Sequence, residues 1–333
     1  MHKLKLLFIS IMALLFSAHS MSNVVHKERS LYRNLLVEET GDLRCLKFDE
    51  KTRQSSQSCM YISDPKKLVF NYTKLAFSSL LLIDNPKNVL IIGLGGGTLS
   101  NMIHELYPKA HIENVEIDPA VIKVARDYFN FIETDNVTTK VQDGRIFIKR
   151  AALKSQQFDW IILDAFNGDY IPEHLLTKEF FEEIKSVLAE GGIVAANTFS
   201  SSKLYEHESA TYHAVFGDFI NVTANNNSNR IILAGYSNIP TEQQIAQRVK
   251  QLAPLLAPYD VLFLNKARLE LSDTLSKKEN SLHINGYANL AIVAVEQGVS
   301  VGEVLSLLDT GCTIGEDTAI DNNDKESLFS VNQ

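Results

Sequence analysis

The sequence predicts an α/β fold: a doubly wound, parallel sheet preceded by a small N-terminal β-domain. Three observations predict it. From Asn88 onward, strand-like segments, the first a continuous apolar run, alternate with helical stretches. A glycine-rich segment, Ile92-Gly93-Leu94-Gly95-Gly96-Gly97-Thr98-Leu99, joins the first such run to the first such helix. Before this region, residues 29–62 instead alternate and are rich in strand formers. Strand–helix alternation favours a sheet wound with helices on both faces.

In chain order, Leu31 to Thr40 reads as a strand, Gly41-Asp42 as a turn and Leu43 to Phe48 as the partner strand. Lys67 to Leu82 is amphipathic and reads as a helix, stopped by Asp84-Asn85-Pro86. Val89 to Ile92 is wholly apolar, as a strand buried on both faces requires. Leu99 to Leu106 is a helix, Ile112 to Ile117 a strand, and Pro119 to Tyr128 a helix with proline in its first turn. Val137 to Val141 is a strand followed by a helix from about Arg145, and Trp160 to Leu163 is the fourth strand. Thr177 is placed to cap a helix running to Leu188, with Glu179 near its positive end. Gly191-Gly192 turns into a fifth strand, Ile193 to Asn197, and segments near 220–224 and 230–236 complete the sheet. Residues 240–300 read as further helix and strand.

The first twenty residues stand apart. His2, Lys3 and Lys5 precede an apolar run from Leu6 to Phe16 and a small-x-small pattern, Ala18-His19-Ser20. This is the pattern of a secretory signal peptide, with an uncleaved membrane anchor as the alternative. The expected organisation is a leader over 1–20, a β-domain over 25–84, the doubly wound α/β domain over 85–300 and a tail over 301–333. That tail is acidic, Asn-rich and expected to be disordered beyond about 315. Composition is that of a globular protein, 45% hydrophobic and 22% charged, with net charge −8. A nucleic-acid binder is more often basic, so no nucleic-acid partner is expected; an acidic balance is compatible with a cationic small molecule and is also common in soluble proteins. Of three cysteines, Cys45 and Cys59 lie in the strand region and are either a disulfide across a hairpin or two unrelated thiols; Cys312 has no evident role.

The candidate site is assembled from strand ends. Gly93, Gly95 and Gly97 allow a sharp turn and close approach of a ligand to the backbone, and the following helix offers free N–H groups. Glu116 ends the second strand twenty-three residues after Gly93, where a carboxylate accepts from ribose hydroxyls. Asp143-Gly144 ends the third strand, where the carboxylate can accept from the exocyclic amine of adenine; Asp-Gly is also a common turn. Asp164 ends the fourth, in Leu163-Asp164-Ala165-Phe166-Asn167-Gly168-Asp169-Tyr170-Ile171-Pro172, and is left facing the chemistry at the far end of the nucleoside. In such sheets ligands bind beyond the carboxyl ends of the strands, so these groups share one crevice.

With these motifs the chain resembles the spermidine synthase (polyamine aminopropyltransferase) family over roughly residues 28–220. The resemblance rests on Glu28-Arg29-Ser30-Leu31-Tyr32 and Val37-Glu38-Glu39-Thr40, Gln54, the Tyr72 region and Asn85 to Gly93. It continues through Val115-Glu116-Ile117-Asp118, Asp143-Gly144, Asp164 and Leu176 to Phe180. It implies a Rossmann-like domain of the S-adenosylmethionine-dependent methyltransferase type. It further implies that Gln54, Glu116, Asp143 and Gly144 touch the nucleoside of decarboxylated S-adenosylmethionine and that Asp164 is the general base. The segment 166–175 would be a gate, with Tyr72, Asn167, Asp169 and Pro172 toward the amine, a polyamine for example. No metal is implied, and family members often form homodimers.

The sequence departs from the family in its amine-recognition motifs. The Asp of the glycine loop is replaced by a glycine or leucine, Gly96 being the best-matching position; the usual Tyr-His-Glu reads Tyr72-Thr73-Lys74; and the second Asp of Asp-x-x-Asp is Asn167, with Asp169 nearby as a candidate substitute. The expected function is aminopropyl transfer from decarboxylated S-adenosylmethionine to an amine. The alternatives are an S-adenosylmethionine-dependent methyltransferase and an inactive nucleoside-binding relative, the latter favoured by export, because these nucleosides are made in the cytoplasm. A dehydrogenase is more distant, since NAD gives Asp143 and Asp164 no special use.

Overall fold

A computed structural model describes residues 22–48, 56–166, 170–224, 228–235, 240–261 and 267–271. The leader, the tail, Gln54, Asn167 and Asp169 lie outside the described residues.

The N-terminal part is a four-stranded antiparallel sheet, β1 (Asn23–Arg29), β2 (Asn34–Thr40), β3 (Leu43–Phe48) and β4 (Ser56–Tyr61), in the order β1-β2-β3-β4. β1 was not expected: Asn23-Val24-Val25-His26-Lys27-Glu28-Arg29 is an exposed edge with no apolar alternation to announce it. The strand expected to begin at Leu31 begins at Asn34, because the Ser30 hydroxyl accepts from the N–H groups of Tyr32 and Arg33, each at 3.0 Å, and folds residues 30–33 into a turn. Cys45 and Cys59 face each other in the β3–β4 register and form a disulfide.

The helix expected over 67–82 is α1 (Asn71–Ala76) followed by a 3₁₀ segment, Phe77–Leu81. All five residues of that segment are buried, so its tighter winding is held by packing on every side rather than by one apolar stripe.

The central sheet follows. Its parallel strands are β5 (Asn88–Ile92), β6 (His111–Glu116), β7 (Val137–Val141), β8 (Phe158–Leu163) and β9 (Leu188–Phe199). Between them lie α2 (Thr98–Leu106), α3 (Pro119–Tyr128), α4 (Gly144–Leu153) and α5 (Lys178–Val187). After β9 come α6 (Tyr205–Phe216), β10 (Ile220–Ala224), β11 (Asn229–Ala234), α7 (Glu242–Leu256) and β12 (Ala267–Leu271). The strand order is β12-β10-β11-β9-β8-β5-β6-β7. The sheet is therefore not wholly parallel: β10, β11 and β12 pair antiparallel, the β9–β11 pair included. Nor does Gly191-Gly192 precede the fifth strand; it lies within β9, where the register slips between Phe158↔Leu188 and Trp160↔Ile193.

Alternation along β5 explains the layers. Val89 and Ile91 pack with Leu99, Met102 and Ile103 of α2, while Leu90 and Ile92 pack with Phe147 and Ile148 of α4 and Phe181 and Ile184 of α5. The N-terminal sheet docks through Leu35, Val37, Leu46 and Met60 onto Ala120, Val121 and Val124 of α3. Caps fix where the helices start: Asp118 accepts from Ala120 N, Asp143 from Ile146 N and Thr177 from Phe180 N. From β5 the chain adds β6 and β7 to one side, then returns to add β8 and β9 to the other. The switch point, where such sheets open a crevice, is thus between β5 and β8, whose carboxyl ends are followed by Gly93 and Asp164. Among the described residues no helix is long and apolar enough to cross a membrane.

Candidate active site

A cavity of about 290 Å³ occupies this crevice, roofed by the N-terminal sheet. It brings together Gly93, Gly95, Glu116, Asp143, Gly144, Asp164, Tyr72 and Pro172, all expected from the sequence. Gly97 is one step back, as the residue before α2, with φ of 77°. Gly93 has φ of 97°, and a Cβ there would lie 2.3 Å from the Asp164 carbonyl oxygen, so only glycine lets β5 and the end of β8 approach this closely. At Gly96 a Cβ would lie 2.6 Å from Ser58 Oγ and 3.1 Å from the Phe129 ring, so a side chain there would require Ser58 and Phe129 to shift.

Glu116 is buried, and its two oxygens accept the N–H groups of Leu94 and Asp118, each at 3.0 Å. Burial pushes its carboxyl above the usual range, against the pull of those two bonds and of the Arg33 guanidinium. Each carboxylate oxygen retains a second lone pair for a ligand hydroxyl. Asp143 accepts from Ile146 N at 2.9 Å through Oδ1 and meets His174 Nε2 at 3.0 Å through Oδ2. Its cap bond and its contact with His174 thus share the carboxylate expected to meet adenine.

Asp164 is held from two sides. Asn197 Nδ2 donates to Oδ1 at 2.8 Å, and the Tyr72 hydroxyl bonds the same carboxylate. Burial raises its pKa to about 7, the bonds from Asn197 and Tyr72 oppose the rise, and the nearby Glu116 charge adds to it. Tyr72 is pushed well above the usual phenol range by burial and by Asp164, so it stays a hydrogen-bond donor.

Four residues in or beside the cavity were not anticipated. Asn197 is the end of the expected fifth strand, and the strand-end rule that found the carboxylates could have found it. Arg33 reaches from β1–β2 to the Phe166 carbonyl at 3.3 Å and to Asp118 at 3.8 Å, with its guanidinium 4.3 Å from the centre of the Phe48 ring. Nothing in the local sequence separates it from a surface arginine. His174, in the 3₁₀ turn Glu173–Leu175, meets Asp143 Oδ2 at 3.0 Å. Gln142 lines the cavity; its side-chain carbonyl accepts from Arg150 at 3.1 Å, while its buried Nε2 has no partner among the described residues. Among the described residues no group of three His, Cys, Asp or Glu side chains is placed to hold a metal ion.

A glycine turn, a buried carboxylate and an aspartate with a raised pKa meet at one switch point of an α/β sheet, the place where such folds bind ligands. The spermine/spermidine synthase domain profile matches residues 70–226. A polyamine aminopropyltransferase of Vibrio vulnificus is 45% identical over 243 residues, 72% of this chain and 81% of the relative. One of Neisseria meningitidis is 30% identical over 230 residues, 68% of this chain and 85% of the relative. The crystal structure of spermidine synthase from Thermotoga maritima superposes with a TM-score of 0.55 at 21% identity, covering 68% of this chain and 78% of that one. The chain belongs to the spermine/spermidine synthase family.

Proposed function

We propose that the protein transfers the aminopropyl group of decarboxylated S-adenosylmethionine to an amine acceptor, a polyamine being the acceptor class of its named relatives. The observation that carries this reading is Asp164: a carboxylate with a pKa of about 7, bonded by Tyr72 and lying in the same cavity as the ribose-height Glu116. Glu116 and the glycine turn hold the adenosine, and Gln142 and Asp143 lie where they can address its base. The donor carries an electrophilic methylene beside its sulfonium. Asp164 takes the proton as the acceptor nitrogen forms its bond to that carbon; the carbon–sulfur bond breaks, and methylthioadenosine leaves. Asp164 and Glu116 also offset positive charge on donor and acceptor.

The test is calorimetric titration of residues 21–333 with methylthioadenosine, decarboxylated S-adenosylmethionine and S-adenosylmethionine, followed by a transfer assay over a panel of amines. Tight binding of the first two, with methylthioadenosine released on adding an amine, is the expected result. Preference for S-adenosylmethionine and methylated product would assign the methyltransferase reading. Nucleoside binding without turnover of any amine would assign the inactive one.

We also propose that residues 1–20 direct export. The Cys45–Cys59 disulfide supports this, since such bonds persist in oxidising compartments. Mass spectrometry of the mature amino terminus in cell fractions tests it: a chain starting at Met1 in the cytoplasm would overturn it.

A further inference from the structure

Asp164 is at one end of a line of side chains that crosses three adjacent strands. β11, β9 and β8 are neighbours in that order. β8 and β9 run parallel, so the end of β8 and Asn197 near the end of β9 lie at the same edge of the sheet. β11 runs antiparallel, which brings its first residue, Asn229, to that edge as well. Asn229 Nδ2 donates to Asn197 Oδ1 at 2.9 Å, and Asn197 Nδ2 donates to Asp164 Oδ1 at 2.8 Å. An amide has one accepting and one donating end. Once Asn229 occupies the Asn197 carbonyl, the Asn197 NH₂ is the end presented to Asp164. Asn197 is 6% exposed, so this orientation is fixed away from water. The strand beneath it is anchored too: the fully buried Arg230 donates to Thr198 Oγ1 at 2.8 Å and pairs with Glu208 at 2.8 Å.

We propose that Asn197 is a positioning residue for the reaction, oriented by Asn229, that holds Asp164 Oδ1 so that the other carboxylate oxygen is directed to the acceptor amine. What sets Asn197 apart from an amide that only satisfies the core is where its bonds lead: its NH₂ ends on Asp164, the carboxylate that lines the cavity. The titratable groups facing Asp164 are Tyr72 from α1 and Glu116 from β6, and neither is carried by β9 or β11. Removing Asn197 therefore changes the bond to the charged form of Asp164 and leaves both of those groups in place. A donor withdrawn from a carboxylate favours its protonated form.

The inference rests on the aminopropyl-transfer reading for its catalytic consequence, so the experiment has a readout independent of turnover. The Asp164 carboxyl is followed by ¹³C NMR through a pH titration in aspartate-labelled protein, assigned with Asp164→Asn. Asn197→Ala should raise the titration midpoint and lower kcat at pH 7 by about tenfold or more, with affinity for methylthioadenosine within about threefold of wild type. Asn229→Ala should move the midpoint the same way by less. If Asn197→Ala is too unstable to study, Asn229→Ala alone decides by the same midpoint. An unchanged midpoint in the stable variants would overturn the proposal, whatever happened to activity. A raised midpoint in a protein that turns over no amine would keep the positioning role and reject the aminopropyl-transfer reading.

Discussion

Glu116 Oε2 accepts the backbone N–H of Leu94 at 3.0 Å, which ties the end of β6 to the glycine turn after β5. Its other oxygen accepts from Asp118 N at 3.0 Å. A carboxylate serves both donors; an amide has one accepting atom and would turn its NH₂ toward the second. Glu116→Gln should therefore cost about 1–3 kcal/mol of stability, the range for a buried polar group left unpaired. Losing a charged acceptor for the ribose should also weaken methylthioadenosine about tenfold or more. Thermal unfolding and calorimetric titration measure the two losses separately.

Asp164 governs a pH dependence. With its folded pKa near 7, it is protonated below that value and unable to accept a proton. The rate attributable to it should rise as pH passes through about 7, and Asp164→Asn should remove that limb and lower kcat by about 10²–10⁴-fold. The sign for stability is opposite to that of an ion-paired carboxylate. A raised folded pKa means that the native state keeps a proton that the unfolded chain releases between about pH 4 and 7, so stability falls as pH rises across that window and then levels. Asp164→Asn should accordingly gain more in Tm relative to wild type at pH 8 than at pH 4. An equal offset at both pH values would show that Asp164 has an ordinary pKa.

The Cys45–Cys59 bond spans fourteen positions, and Gln57, Ser58 and Cys59 of β4 all line the cavity. A loop of that size is worth about 3 kcal/mol of stability. The double variant Cys45→Ser, Cys59→Ser should unfold at lower temperature and bind methylthioadenosine more weakly. Dithiothreitol should bring wild type to the variant's Tm and leave the variant unmoved. If reductant shifts both equally, the disulfide is not the source.

Much of this site follows from local signals. Gly93, Glu116, Asp143 and Asp164 each follow or end a strand of the strand–helix repeat, and strand-end position depends only on short-range pattern and on the parallel winding of the first strands. Tyr72 is different: it comes from α1, outside the strand–helix repeat, and was reached only through family resemblance. Asn197 ends the expected fifth strand and lies two residues before the end of β9, yet its partners depend on β11 running antiparallel beside β9. That is a pairing of segments thirty residues apart with no periodic signal to reveal it. β1 carries no such signal: it is an edge strand in which only Val24 and Val25 are apolar, recognisable only once β2 is there to pair with it.

Gly93 and Gly217 allow the crevice to be separated from backbone strain. Both have positive φ, 97° and 80°. A Cβ at Gly217 would meet nothing within 4 Å, whereas one at Gly93 would lie 2.3 Å from the Asp164 carbonyl oxygen and 2.7 Å from its carbonyl carbon. Gly217→Ala thus carries only the conformational cost of an unfavourable backbone region, about 1–3 kcal/mol. It should lower Tm and leave nucleoside affinity unchanged. Gly93→Ala carries a similar cost and must also push the end of β8 away from β5, since backbone atoms cannot swing aside as a flexible side chain can. That movement displaces Asp164 relative to the glycine turn, so methylthioadenosine affinity should fall by more than tenfold in any fraction that remains folded. Calorimetry on the two variants side by side makes the comparison: if Gly93→Ala binds as well as Gly217→Ala, the close approach of β5 and β8 at the switch point is not what shapes the nucleoside site.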